Sequence, residues 1–261
     1  RQAQHQLLAI ACDGLRRIES STGPCVFIGK PCDVAGTRMS QAVRPELDRN
    51  IGVNIAFFCA GTPSTSGLLE LLKHVEVPPE SVREIRFRGR GWPGKFTVKT
   101  HGEGNKITEM SYMESWGFLQ RYRPYRCHIC PDGTGEFADL SCGDPWYREI
   151  PEDEPGHSLV VVRTEKGRRI LHSARETGYV RLKNVGPKAL VDSQVNLLNK
   201  RRAVWGRLAA MRCFGIPIPR MEGFSLYDNW RKLPLKEQLR STIGTARRII
   251  SRRYYRKSNF S

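Results

Sequence analysis

One local pattern occurs twice in this chain and constrains its fold more than any other feature. A short apolar run ends in a turn carrying a cysteine, and a helix-compatible stretch follows. Pro24 to Ile28 leads into Gly29-Lys30-Pro31-Cys32 and a predicted helix from about Asp33 to Leu47. Gly52 to Phe58 leads into Cys59-Ala60-Gly61-Thr62-Pro63, after which Ser64 can cap a helix through about His74. Strand–turn–helix units in succession predict neighbouring, mostly parallel strands whose C-terminal ends share one rim, where open α/β sheets bind ligands.

The remaining pattern is mixed. Residues 3–20 carry Leu7, Leu8, Ala11, Leu15 and Ile18 at helical spacing. Residues 82–88, 95–100 and 106–111 alternate with period two between Gly-rich turns, which predicts an antiparallel meander. A short helix over Ser115–Gln120 precedes an irregular stretch, Tyr122 to Asp144, bearing Cys127-His-Ile-Cys130-Pro131; structureless segments of that length are usually functional. Then come a strand over His157–Arg163, a helix over Gly167–Glu176, a short strand over Tyr179–Lys183 and a long helix from about Pro187 to Cys213. The apolar stripe of that helix, from Val191 and Val195 to Leu208 and Met211, is expected to pack on the sheet. The fold class read from this order is α/β, a mixed β-sheet flanked by helices, with an antiparallel meander and a C-terminal basic helix.

Composition narrows the function classes. No apolar run approaches the roughly 18–20 residues of a membrane span. Residues 1–20 interleave apolar side chains with His5, Asp13, Arg16, Arg17 and Glu19, unlike a signal peptide, so a cytoplasmic protein is expected. The chain opens at Arg1 without Met and reads as a fragment lacking its N-terminal part. Eight cysteines in 261 residues do not make a disulfide scaffold. Cys12, Cys25 and Cys213 sit in apolar periodic surroundings and are expected to be buried small hydrophobes; Cys142 is ambiguous, a packing residue or a reserve thiol. Cys32, Cys59, Cys127 and Cys130 all occupy Pro/Gly-rich frames. A soft thiolate set suits Zn²⁺ or an iron–sulfur cluster. Isolated Cys32 and Cys59 at two strand ends suit a cluster better than a zinc knuckle, which wants a second close pair; spacing alone leaves cluster, zinc and no metal all open. His128, between the paired thiols, is expected to be a surface or supporting group rather than a ligand.

The succession Gly29-Lys-Pro-Cys32, Phe58-Cys59-Ala-Gly61-Thr62-Pro63-Ser64, Arg90-Gly-Trp-Pro-Gly94 and Cys127-x-x-Cys130-x-Asp132, continuing through Glu136, Ala138-Asp139 and Gly143-Asp144, resembles the beta-subunit family of coenzyme F-420 hydrogenases and dehydrogenases. That family includes plant 7-hydroxymethyl chlorophyll a reductase. The resemblance runs in order over roughly residues 22–220. It implies a flavoprotein holding FAD beside a 4Fe–4S cluster, relaying electrons to or from a hydride acceptor such as a deazaflavin coenzyme. By matching positions it implies cluster ligation by Cys32, Cys59, Cys127 and Cys130. Flavin contacts are expected from the Gly29-Lys30-Pro31 and Gly61-Thr62 turns, which offer backbone N–H groups at helix starts, and from Asp139, Gly143 and Asp144. Family members carry an N-terminal segment ahead of the first Cys turn, and nothing comparable precedes it here. The implied organisation is a flavin and iron–sulfur redox domain over residues 1–222 and a basic helical arm over 223–261.

That arm carries ten Lys or Arg against one Glu between Arg231 and Ser261, +9 of the total +17. Leu235, Leu239, Ile243, Ala246, Ile250 and Tyr254 recur at helical spacing opposite the arginines. Three readings follow: a solvated end packed on its own domain, a contact for an acidic electron-carrier protein, partner redox subunit or anionic membrane surface, and a nucleic-acid arm. The pI near 9.9 would suit nucleic acid, yet no known binding module or stacking-aromatic pattern accompanies it. The rival to a redox enzyme is a zinc- or cluster-stabilised basic interaction module without catalysis.

Overall fold

The computed structural model describes residues 11–102, 106–149 and 156–252. Its strands, in chain order, are β1 (Cys25–Gly29), β2 (Ile51–Phe57), β3 (Val82–Arg86), β4 (Lys95–Thr100), β5 (Ile107–Ser111), β6 (Leu140–Gly143) and β7 (Leu159–Val162). The helices are α1 (Ala11–Glu19), α2 (Pro31–Gln41), α3 (Pro45–Asn50), α4 (Thr65–His74), α5 (Tyr112–Leu119), α6 (Tyr125–His128), α7 (Glu165–Glu176), α8 (Pro187–Ser193), α9 (Val195–Arg202), α10 (Val204–Cys213), α11 (Leu226–Arg231) and α12 (Leu235–Arg252). The chain forms two compact units. One comprises Arg1–Cys59, Asp132–Tyr147 and Ser158–Leu197; the other comprises Ala60–Pro131, Arg148–His157 and Leu198–Ser261.

The first unit is built on a four-stranded sheet of order β1-β2-β6-β7. β1, β2 and β6 run parallel and β7 closes the edge antiparallel. The two strand–Cys turn–helix units therefore give adjacent parallel strands, as the sequence predicts. β6 lies inside the stretch expected to be irregular, where Leu140 and Ser141 pair with Ile55 and Ala56. Only four residues long, it has too little alternation to register as a strand in sequence. Pro45 divides the helix expected over 33–47: it lacks the N–H to continue α2, and Arg44 before it is extended at φ −132°, ψ 91°, so α3 starts afresh. Phe27, Val34, Leu47, Ile51, Ala56 and Ala138 form the core, with Leu15 and Ile18 of α1 against it. No strand forms over Tyr179–Lys183, where Tyr179 stands exposed.

The second unit contains the meander β3-β4-β5, antiparallel throughout. Phe96 and Val98 turn inward to Leu71, Leu72, Val77 and Leu119, while Lys95 and Lys99 face outward and pair with Glu109 and Glu84. Ser64 caps α4, accepting from the Gly67 amide, and Ser111 with Glu114 forms a capping box on α5. The long helix expected over 187–213 is three helices, α8 in the first unit, α9 where the chain passes from the first unit to the second, and α10 in the second, and its stripe does not act as one surface. Val191 and Val195 are exposed, while Leu208 and Met211 pack with Ile129, Val204 and Ile249.

α12 docks on α10 by an unexpected face. The stripe anticipated to be the apolar seam is outward, with Leu235 70%, Leu239 50%, Ile243 62% and Ile250 56% exposed. The buried line is Ser241, Thr245 and Ile249. Gly206 makes this geometry possible: a Cβ there would lie 2.4 Å from Ser241 Oγ and 2.6 Å from Trp230 Nε1. The buried hydroxyls are satisfied locally, Ser241 Oγ donating to the Gln238 carbonyl and Thr245 Oγ1 to the Ser241 carbonyl, each at 2.7 Å. Tyr254 of the anticipated stripe lies outside the described residues.

Candidate functional site

The first unit places Lys30 and two of the singled-out thiols together. β1 ends at buried Gly29, and Lys30 stands at the N-cap of α2 with Pro31 in the first turn, where proline's missing N–H costs nothing. The Lys30 amide donates to Asp33 Oδ2 at 3.1 Å, and its ammonium meets the same oxygen at 2.7 Å. Burial works against the charged amine, but the Asp33 hydrogen bond and the negative charges of Asp33, Cys32 and Cys59 outweigh it, so the Lys30 pKa stands above the ordinary lysine value. Both Cys32 and Cys59 are thus close enough for their charge to act on this ammonium. At the end of β2, the Phe58 amide donates to the Cys142 carbonyl at 2.7 Å and the Cys59 amide to the Gly133 carbonyl at 2.8 Å. Those bonds fix the turn on the Asp132–Gly143 loop.

That loop is held by two carboxylates. Asp132 accepts from the amides of Thr134, Gly135 and Glu136 at 3.1, 2.7 and 2.9 Å. Asp139, nearly fully buried, accepts from the Asn54 amide at 2.8 Å and the Thr164 hydroxyl at 2.7 Å, and pairs with Arg38 at 3.0 Å. Gly143 packs so closely under Phe58 that the ring takes the volume a side chain would need. The Asp144 carbonyl accepts from Gln194 Nε2 at 3.0 Å. Arg163 was not singled out in sequence; it bridges the loop to β6, donating to Thr134 and to Ser141 Oγ. Nothing in sequence marks it apart from the chain's many other arginines. The Cys142 thiol is pushed above the ordinary cysteine pKa by burial.

The second unit carries the Gly61-Thr62-Pro63 turn and the CxxC pair. Gly61 has φ +139°, and a Cβ there would lie 2.6 Å from Arg123 Cδ and 3.3 Å from Cys127 Cβ, so only glycine lets this turn lie against Cys127. Thr62 is exposed. The Ala60 carbonyl accepts from Arg123 Nη1 at 2.8 Å and Lys200 Nζ at 3.5 Å. Cys127 lies in α6, its amide donating to the Pro124 carbonyl at 2.9 Å, and Ile129 beside it anchors the turn in the α10–α12 core. Arg207 Nη1 donates to the His128 carbonyl. Its pKa is brought down to about 10, by burial first and then by Arg248 and Arg123.

Cys32, Cys59, Cys127 and Cys130 are each half-buried and none is in a disulfide. The first two belong to one unit and the last two to the other. Among the described residues no group of three or more His, Cys, Asp or Glu side chains is arranged to hold a metal ion. The chemistry of the donor set nonetheless fits a soft metal: half-buried thiols in cationic surroundings, Lys30 for one pair and Arg123 and Arg207 for the other. Of the cysteines expected to be buried, Cys25 is half-buried and Cys213 exposed, because each sits at an element's end rather than inside its packed face. The Cys12 side chain lies outside what is described.

Fold and site together define an α/β protein whose strand ends carry thiols beside basic side chains. The chain belongs to the coenzyme F420 hydrogenase/dehydrogenase beta subunit family, whose C-terminal profile matches residues 24–188. The beta subunit of F420-dependent formate dehydrogenase 1 from Methanococcus maripaludis is 28% identical over 162 residues, 62% of this chain and 39% of that one. The beta subunit of coenzyme F420 hydrogenase from Methanococcus voltae is 32% identical over 203 residues, 74% of this chain and 65% of that one. This chain thus spans less than two thirds of either relative. A chain in the solved F420-reducing [NiFe] hydrogenase complex of Methanosarcina barkeri shares the fold, with a TM-score of 0.57 at 18% identity over 81% of this chain and 70% of that one.

Proposed function

We propose that this chain is an oxidoreductase subunit in which Cys32, Cys59, Cys127 and Cys130 ligate one 4Fe–4S cluster and the neighbouring turns bind FAD. The observation that carries the reading is the placement of half-buried thiols among cations. Lys30 stands beside Cys32 and Cys59, and Gly61, two residues past Cys59, lies against Cys127. When bound, the cluster would supply one-electron relay and the flavin two-electron hydride chemistry. The chain's own part is to present the thiols from structured turns, orient them and shield them from water. The Lys30 amide is taken by Asp33 and Pro31 has no N–H, so the first turn would offer a pyrophosphate the Lys30 ammonium, and Gly61-Thr62 would offer backbone amides; Asp139, Gly143 and Asp144 would shape the loop beneath the flavin. A deazaflavin coenzyme is the proposed hydride acceptor, since the relatives are named for F420.

The proposed partner is a redox subunit, as the relatives are named subunits and the solved structure is of a complex. The outward aliphatic stripe of α12, flanked by Lys236, Arg240 and Arg247, suits an acidic apolar surface on that subunit; an anionic membrane is the competing reading. No described helix is long and apolar enough to cross a membrane. The flavin reading is tested by anaerobic reconstitution with iron, sulfide and FAD. Lys30→Ala is expected to lower bound flavin and deazaflavin reduction while sparing iron. Full iron uptake with no flavin bound by the unmutated chain would leave an electron carrier rather than a flavoenzyme.

A further inference from the structure

Beside the Cys127–Cys130 turn, the second unit gathers the basic side chains Arg123, Lys200, Arg207 and Arg248. Arg207 reaches from α10 to donate to the His128 carbonyl inside the CxxC turn. Its Nε is buried and has no hydrogen-bond partner. The charged arginines that act on it, Arg248 and Arg123, have the same sign, and among the described residues no carboxylate pairs with Arg207, Arg248 or Lys200. Arg123 and Lys200 meet at the Ala60 carbonyl, and Arg123 also lies against Gly61, the residue that touches the Cys127 position. A guanidinium withdrawn from water without a counter-charge destabilises a fold. A buried donor with no acceptor adds to that cost. The arrangement makes sense for a protein whose resting charge balance includes an anionic group at this turn.

We infer that Arg207 is the counter-charge of the metal–thiolate group held at Cys127 and Cys130, a positioning residue that sets the affinity and reduction potential of that group. The inference rests on the reading of those cysteines as metal ligands. A metal centre bound by four thiolates is anionic and becomes more so on reduction, so a neighbouring cation favours both assembly and the reduced state. The same cation is a liability when the centre is empty. Its removal therefore acts with opposite sign on the two states, which a simple brace for the turn would not do.

The test uses the full 261-residue chain with Arg207→Met, which keeps the volume and removes the charge, and Arg207→Lys, which keeps the charge. In metal-free protein, Arg207→Met is expected to hold or raise the urea midpoint. In protein reconstituted anaerobically with iron and sulfide it is expected to shift the oxidised-to-reduced ratio at fixed potential about tenfold toward oxidised, 59 mV for one electron. Zn²⁺ competed from a chelator should bind about tenfold more weakly, and Arg207→Lys should restore most of both effects. Arg248→Gln should shift the ratio the same way by less, and keeps the question answerable if Arg207→Met misfolds. Equal destabilisation of empty and loaded protein, with potential and Zn²⁺ affinity unmoved, would overturn the inference and leave a structural brace. Loss of added FAD rather than metal would overturn it in favour of a flavin pyrophosphate. If the unmutated chain takes up neither iron nor zinc, the underlying reading of the cysteines fails; if it takes up metal and the variants match it, only this inference fails.

Discussion

Asp139 binds three parts of the first unit through one carboxylate: the Asn54 amide of β2, the Thr164 hydroxyl that caps α7, and the Arg38 guanidinium of α2. Burial alone would raise its pKa, but those partners prevail and hold it below the ordinary aspartate value. A depressed folded-state pKa contributes stability above the unfolded value near 3.9 and loses it as pH falls through the folded value. Asp139→Asn is therefore expected to cost about 2–3 kcal/mol at pH 7, as for a hydrogen-bonded charge removed from a buried site, and progressively less as pH falls below the ordinary aspartate value toward pH 3. Urea denaturation at both pH values checks this; an equal cost at both would contradict it. The residue was legible in sequence as part of a motif, but not as this hub. Its partners lie 85, 25 and about 100 positions away, a separation that local pattern cannot span.

At the scale of elements, sequence period served well where one face is apolar and the other wet. The meander alternates Phe96 and Val98 with Lys95 and Lys99, and it forms as the period predicts. α12 shows the opposite case. Its strongest apolar stripe faces out, and a line of Ser241, Thr245 and Ile249 faces in, because close approach to Gly206 rewards small side chains. No pattern within α12 could reveal that, since the determinant is a glycine on α10. The prediction is a reversal of what helical periodicity alone would give. Ile249→Ala, at a fully buried position, should cost about 2–4 kcal/mol, whereas Leu239→Ala should change stability by less than about 0.5 kcal/mol. Denaturation midpoints of the two variants decide it; a Leu239→Ala cost matching Ile249→Ala would show that the outward stripe is packed.

For the whole molecule, fold class and family were legible because a repeated strand–turn–helix unit and a set of thiol-bearing motifs occur in a fixed order. The division into two units was not, since the chain crosses from one to the other at Cys59/Ala60 and Pro131/Asp132, inside the very motifs that read as continuous. The central claim is that four thiols from these motifs serve one cluster. The most direct measurement is iron content after anaerobic reconstitution with iron and sulfide, across single Cys→Ser variants. Iron at the stoichiometry of one 4Fe–4S cluster is expected in the unmutated chain and in Cys25→Ser and Cys213→Ser, and its loss in each of Cys32→Ser, Cys59→Ser, Cys127→Ser and Cys130→Ser. A full complement of iron in Cys32→Ser or Cys59→Ser, or a colourless protein that binds zinc in place of iron, would contradict it.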